Sequence, residues 1–262
     1  NHHCVFSSVA SLSSPEHNYL EDGFYAPKYG DELKTTKKCR ITKSFEDVSD
    51  RVLAGVAELE SALDKKDKIR QNIKALEKSE SEANPEMEIE ISEMFTGKYY
   101  TLFRYKVLDD VRLVYIPPKA IGKFGGESDN WVWPRHNGDF SIVRVYENDK
   151  PYTPEKFIPV NPKGTSENDF VFIMGYPGRT YRHMPAEFLT YQEEYVLPLI
   201  ADWYDERIDI LKRDAGSDEA KKLRYAGRIA SYSNVTKNFK GKMQGLRRTD
   251  ILEQRYLEQA TL

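Results

Sequence analysis

The chain has 262 residues, enough for one large domain or two smaller ones with a proper hydrophobic core. Its 39 basic and 42 acidic residues leave a formal charge of −3, which gives no electrostatic case for nucleic acid or an anionic lipid surface. Two cysteines allow at most one disulfide, so this is not a disulfide-stapled miniature fold, and no apolar run is long enough to span a bilayer.

Residues 1–45 mix short apolar groups with Ser, Pro, Gly and charges, as expected of loops and short strands. Cys39 falls in Lys37-Lys38-Cys39-Arg40-Ile41, which reads as a strand. It could face Cys4, or both could be free thiols; the spacing does not decide. From Asp47 to about Glu82 the period becomes helical, with Val52, Val56, Leu59, Leu63, Ile69, Ile73 and Leu76 on one face. Ser49 is the expected N-cap, Asn84-Pro85 the stop, and the charged outer face a solvated one. Strands are expected at Glu88–Phe95, Tyr99–Leu108 and Val111–Ile116, the last two as a hairpin around Asp109-Asp110. Further strands are expected at 139–146 and 170–174. Strands at short spacing with one helical insertion argue for a β-barrel rather than βαβ units, and a 12% aromatic content suits a β-rich body.

From Pro185 onward the pattern is helical, with Phe188, Tyr191, Tyr195, Leu199 and Trp203 on one face and Pro198 expected to kink it. Ala215-Gly216-Ser217-Asp218 breaks the helix and caps a second run, itself interrupted by Gly227, Gly241 and Gly245. A domain boundary near Tyr181 to Pro185 would divide the chain into 1–182, with a helical insertion at about 49–83, and 183–262. The first residue is not Met and the last lies in a helical run without a stop, so both ends read as cut.

The densest stretch is Gly125-Gly126-Glu127-Ser128-Asp129-Asn130-Trp131-Val132-Trp133-Pro134-Arg135-His136-Asn137-Gly138-Asp139-Phe140-Ser141, which runs straight into a strand-like segment. Loops that combine aromatic and polar side chains in this way shape sites. Asn1-His2-His3-Cys4 resembles the His-Cys step of chymotrypsin-like serine peptidases, where the base ends a barrel strand, and Gly138-Asp139-Phe140-Ser141-Ile142 resembles the Asp step. Together with the Trp-rich loop, the chain resembles the S46 family of bacterial dipeptidyl-peptidases. The likeness continues through Ser14-Pro15-Glu16-His17-Asn18-Tyr19-Leu20, Asp47-Val48-Ser49-Asp50-Arg51-Val52-Leu53 and Met174-Gly175-Tyr176-Pro177-Gly178-Arg179-Thr180.

That resemblance implies part of a chymotrypsin-like double β-barrel followed by the start of an inserted helical domain. It implies His3 as general base and Asp139 as the carboxylate that orients it. His2 is the rival for the base, and strand alternation would let only one of the two face the cleft. Asn130 and Trp131 are implied to hold the free amino terminus of a peptide. An ammonium needs an acceptor such as an amide oxygen, and an indole face beside it attracts cations. Trp133, Arg135 and His136 read as scaffold, His136 as a hydrogen-bonded structural histidine. Glu127 and Asp129 read as loop-shaping groups, while His17 and His183 have no assigned role. The resemblance also implies peptide substrates, no metal or organic cofactor, export to the periplasm or cell surface, and a homodimer.

Two departures stand out. The resemblance implies a nucleophilic Ser far downstream, in a Gly-rich elbow beyond the helical domain, and no Gly-x-Ser-x-Gly occurs in this chain; Val5-Phe6 follows Cys4 where the family usually has Gly-Tyr. One rival is a metal-dependent hydrolase using His2, His3 and an acid, which lacks a compact ligand motif. Another is a non-catalytic homologue that binds peptides through Asn130 and Trp131.

Overall fold

The computed structural model describes residues 2–125, 127–172 and 184–261, with residues 2–4 described by backbone alone. The chain opens on helix α1 (His2–Leu12), not on the strand expected around His3-Cys4. The reason is spacing: Val5, Phe6, Val9 and Ala10 are buried at helical intervals, with no Gly or Pro to interrupt them. The alternation argument separating His2 from His3 therefore falls, because successive helical residues are only about 100° apart. Next come α2 (Tyr19–Asp22), β1 (Phe24–Tyr25), β2 (Leu33–Lys34) and β3 (Cys39–Asp47), which bears out the strand at Cys39. Cys39 is a free thiol, and Cys4 lies outside the described side chains.

Contacts divide the chain into two compact units. One comprises residues 32–113 and 143–152. Its three-stranded sheet runs β3-β5-β4, antiparallel throughout, with β4 (Glu88–Phe95) and β5 (Tyr99–Leu108) at the expected limits. The expected helix from Ser49 is in fact two helices, α3 (Ser49–Leu53) and α4 (Ala62–Ala83). Gly55 at φ 70° breaks the first, and Ser61, not Ser49, caps the second by accepting from the Leu63 and Asp64 N–H groups. The Ser49 hydroxyl instead donates to Asp47 at 2.6 Å and accepts from the Tyr100 N–H at 2.9 Å. The helices cover one sheet face, where Val48, Val52, Ile91, Tyr100 and Leu102 form a buried core against Ile69, Ile73 and Leu76. Arg104, bonded to Glu80 at 2.6 Å and to Glu46 at 3.2 Å, ties strand to helix.

β6 (Asp110–Ile116) does not form a hairpin with β5. Its Arg112 and Leu113 pair with β2, in a different sheet. A tight two-residue hairpin needs positive φ at one or both loop positions, and neither Asp109 nor Asp110 adopts it. Asn148 and Asp149 do, at φ 51° and 59°, and they join β7 (Ile142–Glu147) to β8 (Lys150–Pro151). The buried Glu32 accepts from Arg144 and from the Tyr146 hydroxyl, each at 2.7 Å.

The other unit comprises residues 1–31, 114–142 and 153–262. β1 pairs with the last residues of β6, Phe24 with Ile116, and a short helix α5 (Lys119–Gly122) follows. Residues 170–172 form no strand, and the rest of that expected strand, the expected domain boundary and His183 lie outside the described residues. After α6 (Ala186–Tyr191) the backbone opens into a π-turn over Gln192–Val196, in which the Leu197 N–H reaches Gln192 O. Pro198 follows this turn directly, in the first turn of α7 (Leu197–Ala215), so the helical run carries its irregularity beside the proline expected to kink it. The expected aromatic face is the outer one: Tyr191, Tyr195, Leu199 and Trp203 are exposed, while Leu197, Ala201, Ile208 and Ala215 are buried. Gly216 and the Asp218 cap separate α7 from α8 (Glu219–Arg248), as expected. α8 then runs unbroken through all three glycines, and α9 (Ile251–Ala260) follows. At Gly227 α8 meets α1, where an added Cβ would lie 3.0 Å from the Ser7 hydroxyl.

Candidate active site

Between α5 and β7 the Trp-rich stretch forms a loop whose ends are tied together. The Phe124 N–H donates to Asn137 Oδ1 at 2.9 Å, and the Gly138 N–H to Ile121 O at 3.0 Å. Inside it Phe124, Glu127 and Trp131 hold φ values of 52°, 85° and 59°. A bulky residue stays in that region only where its surroundings over-determine it, at a cost of order 1–3 kcal/mol each. The surroundings here are specific. Ser128 Oγ donates toward Gly125 O at 3.1 Å, and Lys237 on α8 donates to the carbonyls of Glu127 and Ser128, the latter at 3.0 Å.

Glu127 is the hub of this network. One carboxylate oxygen takes the ammonium of Lys123, a buried lysine whose Nζ also lies 4.7 Å from the centre of the Phe6 ring. The other accepts from Asn130 Nδ2 at 2.6 Å. Asn130 Nδ2 also donates to Asn234 Oδ1 on α8 at 3.0 Å, and Trp131 Nε1 donates to the same Oδ1 at 3.0 Å. These bonds fix which way each amide points. A carboxylate only accepts, so Asn130 must turn its NH₂ toward Glu127, and the same NH₂ meets Asn234 Oδ1; the indole N–H is shared between that Oδ1 and the Asn234 backbone carbonyl at 3.1 Å. Asn130 Oδ1 is thereby left as an acceptor with no partner among the described residues. Asn130 is 2% exposed and Trp131 52% exposed, so a locked amide lies beside an open indole.

Asp139 lies in the loop, because β7 starts at Ile142 rather than at Asp139 as expected. The neighbouring Phe140 stacks on Tyr115 at 5.4 Å, and its N–H donates to Gly138 O at 2.8 Å. Asp139 Oδ1 is buried with no hydrogen-bond partner among the described residues. A buried acceptor of that kind is costly and calls for a donor. The expected donor is the imidazole of His3; His3 stands in the first turn of α1 and its side chain lies outside the described residues, so the expected pairing does too.

Arg135 acts as scaffold, with its guanidinium 4.9 Å from the centre of the Phe124 ring. Trp133 does not: it is 92% exposed, and His136 is likewise exposed with no hydrogen bond among the described residues. The polar Lys123–Glu127–Asn130 network holds the loop, which leaves those two rings without a packing role. His17 is exposed and stacks on Tyr19. Among the described residues no cluster of three or more His, Cys, Asp or Glu could hold a metal, and no helix is long and apolar enough to cross a membrane. Sequence reasoning missed Lys123, Asn234 and Lys237. The signal for Asn234 was Ser231-Tyr232-Ser233-Asn234, a run of poor helix formers inside a long helix. A cavity of about 520 Å³ opens beside Lys123 and Glu127, walled by Phe6, Leu20, Leu223 and Ile229.

Comparison with known proteins identifies the family of the chain. A family model described as Peptidase S46 matches residues 1–262. The chain is 38% identical over 258 residues to the dipeptidyl-peptidase 7 of Capnocytophaga gingivalis, covering 94% of this chain and 36% of the relative. It is 37% identical over 264 residues to the Asp/Glu-specific dipeptidyl-peptidase of Flavobacterium psychrophilum, covering 96% of this chain and 37% of the relative. The crystal structure of Porphyromonas endodontalis DPP11 in complex with the dipeptide Arg-Glu is similar at a TM-score of 0.84 and 32% identity, over 100% of this chain and 40% of that one. The chain thus spans well under half the length of the proteins it matches.

Proposed function

Because the chain belongs to the peptidase S46 family, we propose that it is part of a serine-type dipeptidyl-peptidase that releases dipeptides from the free amino terminus of peptides. The observation that carries this reading is the locked Asn130 amide. Its oxygen is the one hydrogen-bonding atom of that side chain left over by the network, and the next residue in the chain carries a half-exposed indole. An acceptor beside an aromatic face suits a terminal ammonium. A fixed ammonium anchor lets an exopeptidase place its second peptide bond at the reacting centre.

In this reading His3 takes the proton of a serine hydroxyl as that oxygen attacks the scissile carbonyl, and Asp139 holds the imidazole in the required tautomer. The imidazolium then protonates the leaving amine, and water resolves the acyl-enzyme. The buried, unpartnered Asp139 Oδ1 supports the assignment of an orienting carboxylate. The serine belongs to the parent protein outside these 262 residues, which contain no Gly-x-Ser-x-Gly. The strands are read as part of a chymotrypsin-like double barrel and residues 183–262 as the start of the helical domain inserted in it. Family membership also supports export to the periplasm or cell surface and a homodimer. Relatives named Asp/Glu-specific dipeptidyl-peptidase and dipeptidyl-peptidase 7 match at 37% and 38% identity, so the proposal names the dipeptide product and not its side-chain preference.

The test is made in the full-length parent. Asn130→Ala is expected to raise KM for free-amino peptides by about 10- to 100-fold, the worth of a hydrogen bond to a charged group. An N-acetylated peptide cleaved as fast as its free counterpart overturns the reading. Free-amino peptide that binds but is never cleaved identifies the non-catalytic homologue instead.

A further inference from the structure

We infer that Glu127 is a positioning residue that balances charge at the amino-terminus subsite: by neutralising the buried Lys123 it lets the Asn130 amide oxygen accept a cation. The inference rests on the amino-terminus reading above. It starts from an electrostatic conflict. Two ammonium groups, Lys123 and Lys237, hydrogen-bond to residue 127, one to its carboxylate and one to its carbonyl. Lys237 has only backbone carbonyls as partners there, those of residues 127 and 128. Lys123 is enclosed, with the Phe6 ring on one side and Glu127 as its carboxylate. An incoming ammonium on Asn130 Oδ1 would join them at the same loop, with Lys123 only one carboxylate away from Asn130, where like charges are poorly screened.

Glu127 offsets one of these two charges with its carboxylate. It cancels the enclosed charge of Lys123 and, through its second oxygen, sets the orientation of the Asn130 amide. The left-handed backbone at Glu127, φ 85°, is held by these same contacts. The geometry separates the charge from the hydrogen bond. Gln at this position keeps an oxygen for Asn130 but leaves the enclosed Lys123 unpaired, and removing both charges by K123M/E127Q restores the net charge of the wild-type site with side chains of similar volume.

The experiment compares wild type, E127Q, K123M/E127Q and N130A in the full-length enzyme. It measures KM and kcat on a free-amino peptide and, by calorimetry, the affinity of a dipeptide and its des-amino counterpart. E127Q is expected to raise KM about tenfold or more, with kcat changed far less, and to erase most of the preference for the free amine. K123M/E127Q is expected to recover KM to within about threefold of wild type, because the repulsion has gone. A purely structural role predicts that the double variant is at least as impaired as E127Q, and that result overturns the inference. So does an unchanged KM in E127Q. If E127Q does not fold, the double variant decides alone: a KM near wild type supports charge balance, and a raised one rejects it. N130A separates the two levels. If it is impaired while E127Q is not, only the role of Glu127 falls; if N130A is also silent, the amino-terminus reading falls with it.

Discussion

Tyr100 places a phenol in the core of the unit that contains α4, with its hydroxyl donating to Glu93 Oε1 at 2.8 Å. Burial first, then the bond to Glu93 and its negative charge, push its pKa up to about 12. The folded state thus holds this proton more tightly than the unfolded chain, whose tyrosine titrates near 10. The resulting stabilisation is complete below pH 10 and is lost as pH rises toward 12. Chemical denaturation at pH 9 and at pH 11.5 is expected to show a drop in stability of order 1–2 kcal/mol, and Tyr100→Phe should flatten that slope. An identical pH dependence in the variant would show that other groups carry it. The candidate site also turns on single side chains, and it was unevenly legible. Asn130, Trp131 and Asp139 share one contiguous motif, so a linear reading finds them. Asn234 and Lys237 stand more than 100 residues away and enter only because α8 brings them to the loop. Nothing in the sequence around Lys123 signals its burial against Phe6.

Among the elements, periodicity located β4 and β5 to the residue, since period-two patterns survive whatever the strand pairs with. Pairing was less legible, because it depends on backbone conformation at the turns. The positive φ at Asn148-Asp149 makes a hairpin, while its absence at Asp109-Asp110 sends β6 to another sheet. Propensity misled at both termini of the described chain. His2–Leu12 folds as a helix because its buried stripe packs on α8, and three glycines fail to break α8 because tertiary contact outweighs their cost. These glycines are not equivalent. Gly227 faces Ser7 at close range, whereas nothing lies within 4 Å of a Cβ at Gly241 or Gly245. Gly241→Ala and Gly245→Ala are each expected to stabilise the fold by about 0.5–1 kcal/mol. Gly227→Leu should instead overpack the α1–α8 contact and cost about 1–3 kcal/mol. Thermal melts of the three variants check the ordering, and a stabilised Gly227→Leu would mean that α1 yields without cost.

At the scale of the molecule, each unit has its own core, yet the helical part carries apolar surface that its own packing leaves uncovered. Tyr191, Tyr195, Leu199 and Trp203 repeat every four residues along the outer face of α6, the π-turn and α7, and Leu199 is 71% exposed. Apolar stripes of that extent on an isolated chain favour association. Purified residues 1–262 are expected to self-associate with rising concentration in sedimentation velocity, and Leu199→Lys with Trp203→Lys should suppress it. The catalytic expectation for the same material follows from chemistry. A base and an orienting carboxylate accelerate proton transfer, but an acyl-enzyme cannot form without an activated nucleophile. The Asn130 amide proposed to hold the amino terminus is nonetheless fixed within these residues, by the loop and α8. Residues 1–262 should therefore release no dipeptide from free-amino peptides while the full-length parent does, and any peptide they bind should be lost on N-acetylation. Dipeptide release above a blank, abolished by a serine-directed phosphonate, would place a nucleophile among the serines of this chain and require the roles of His3 and Asp139 to be assigned afresh.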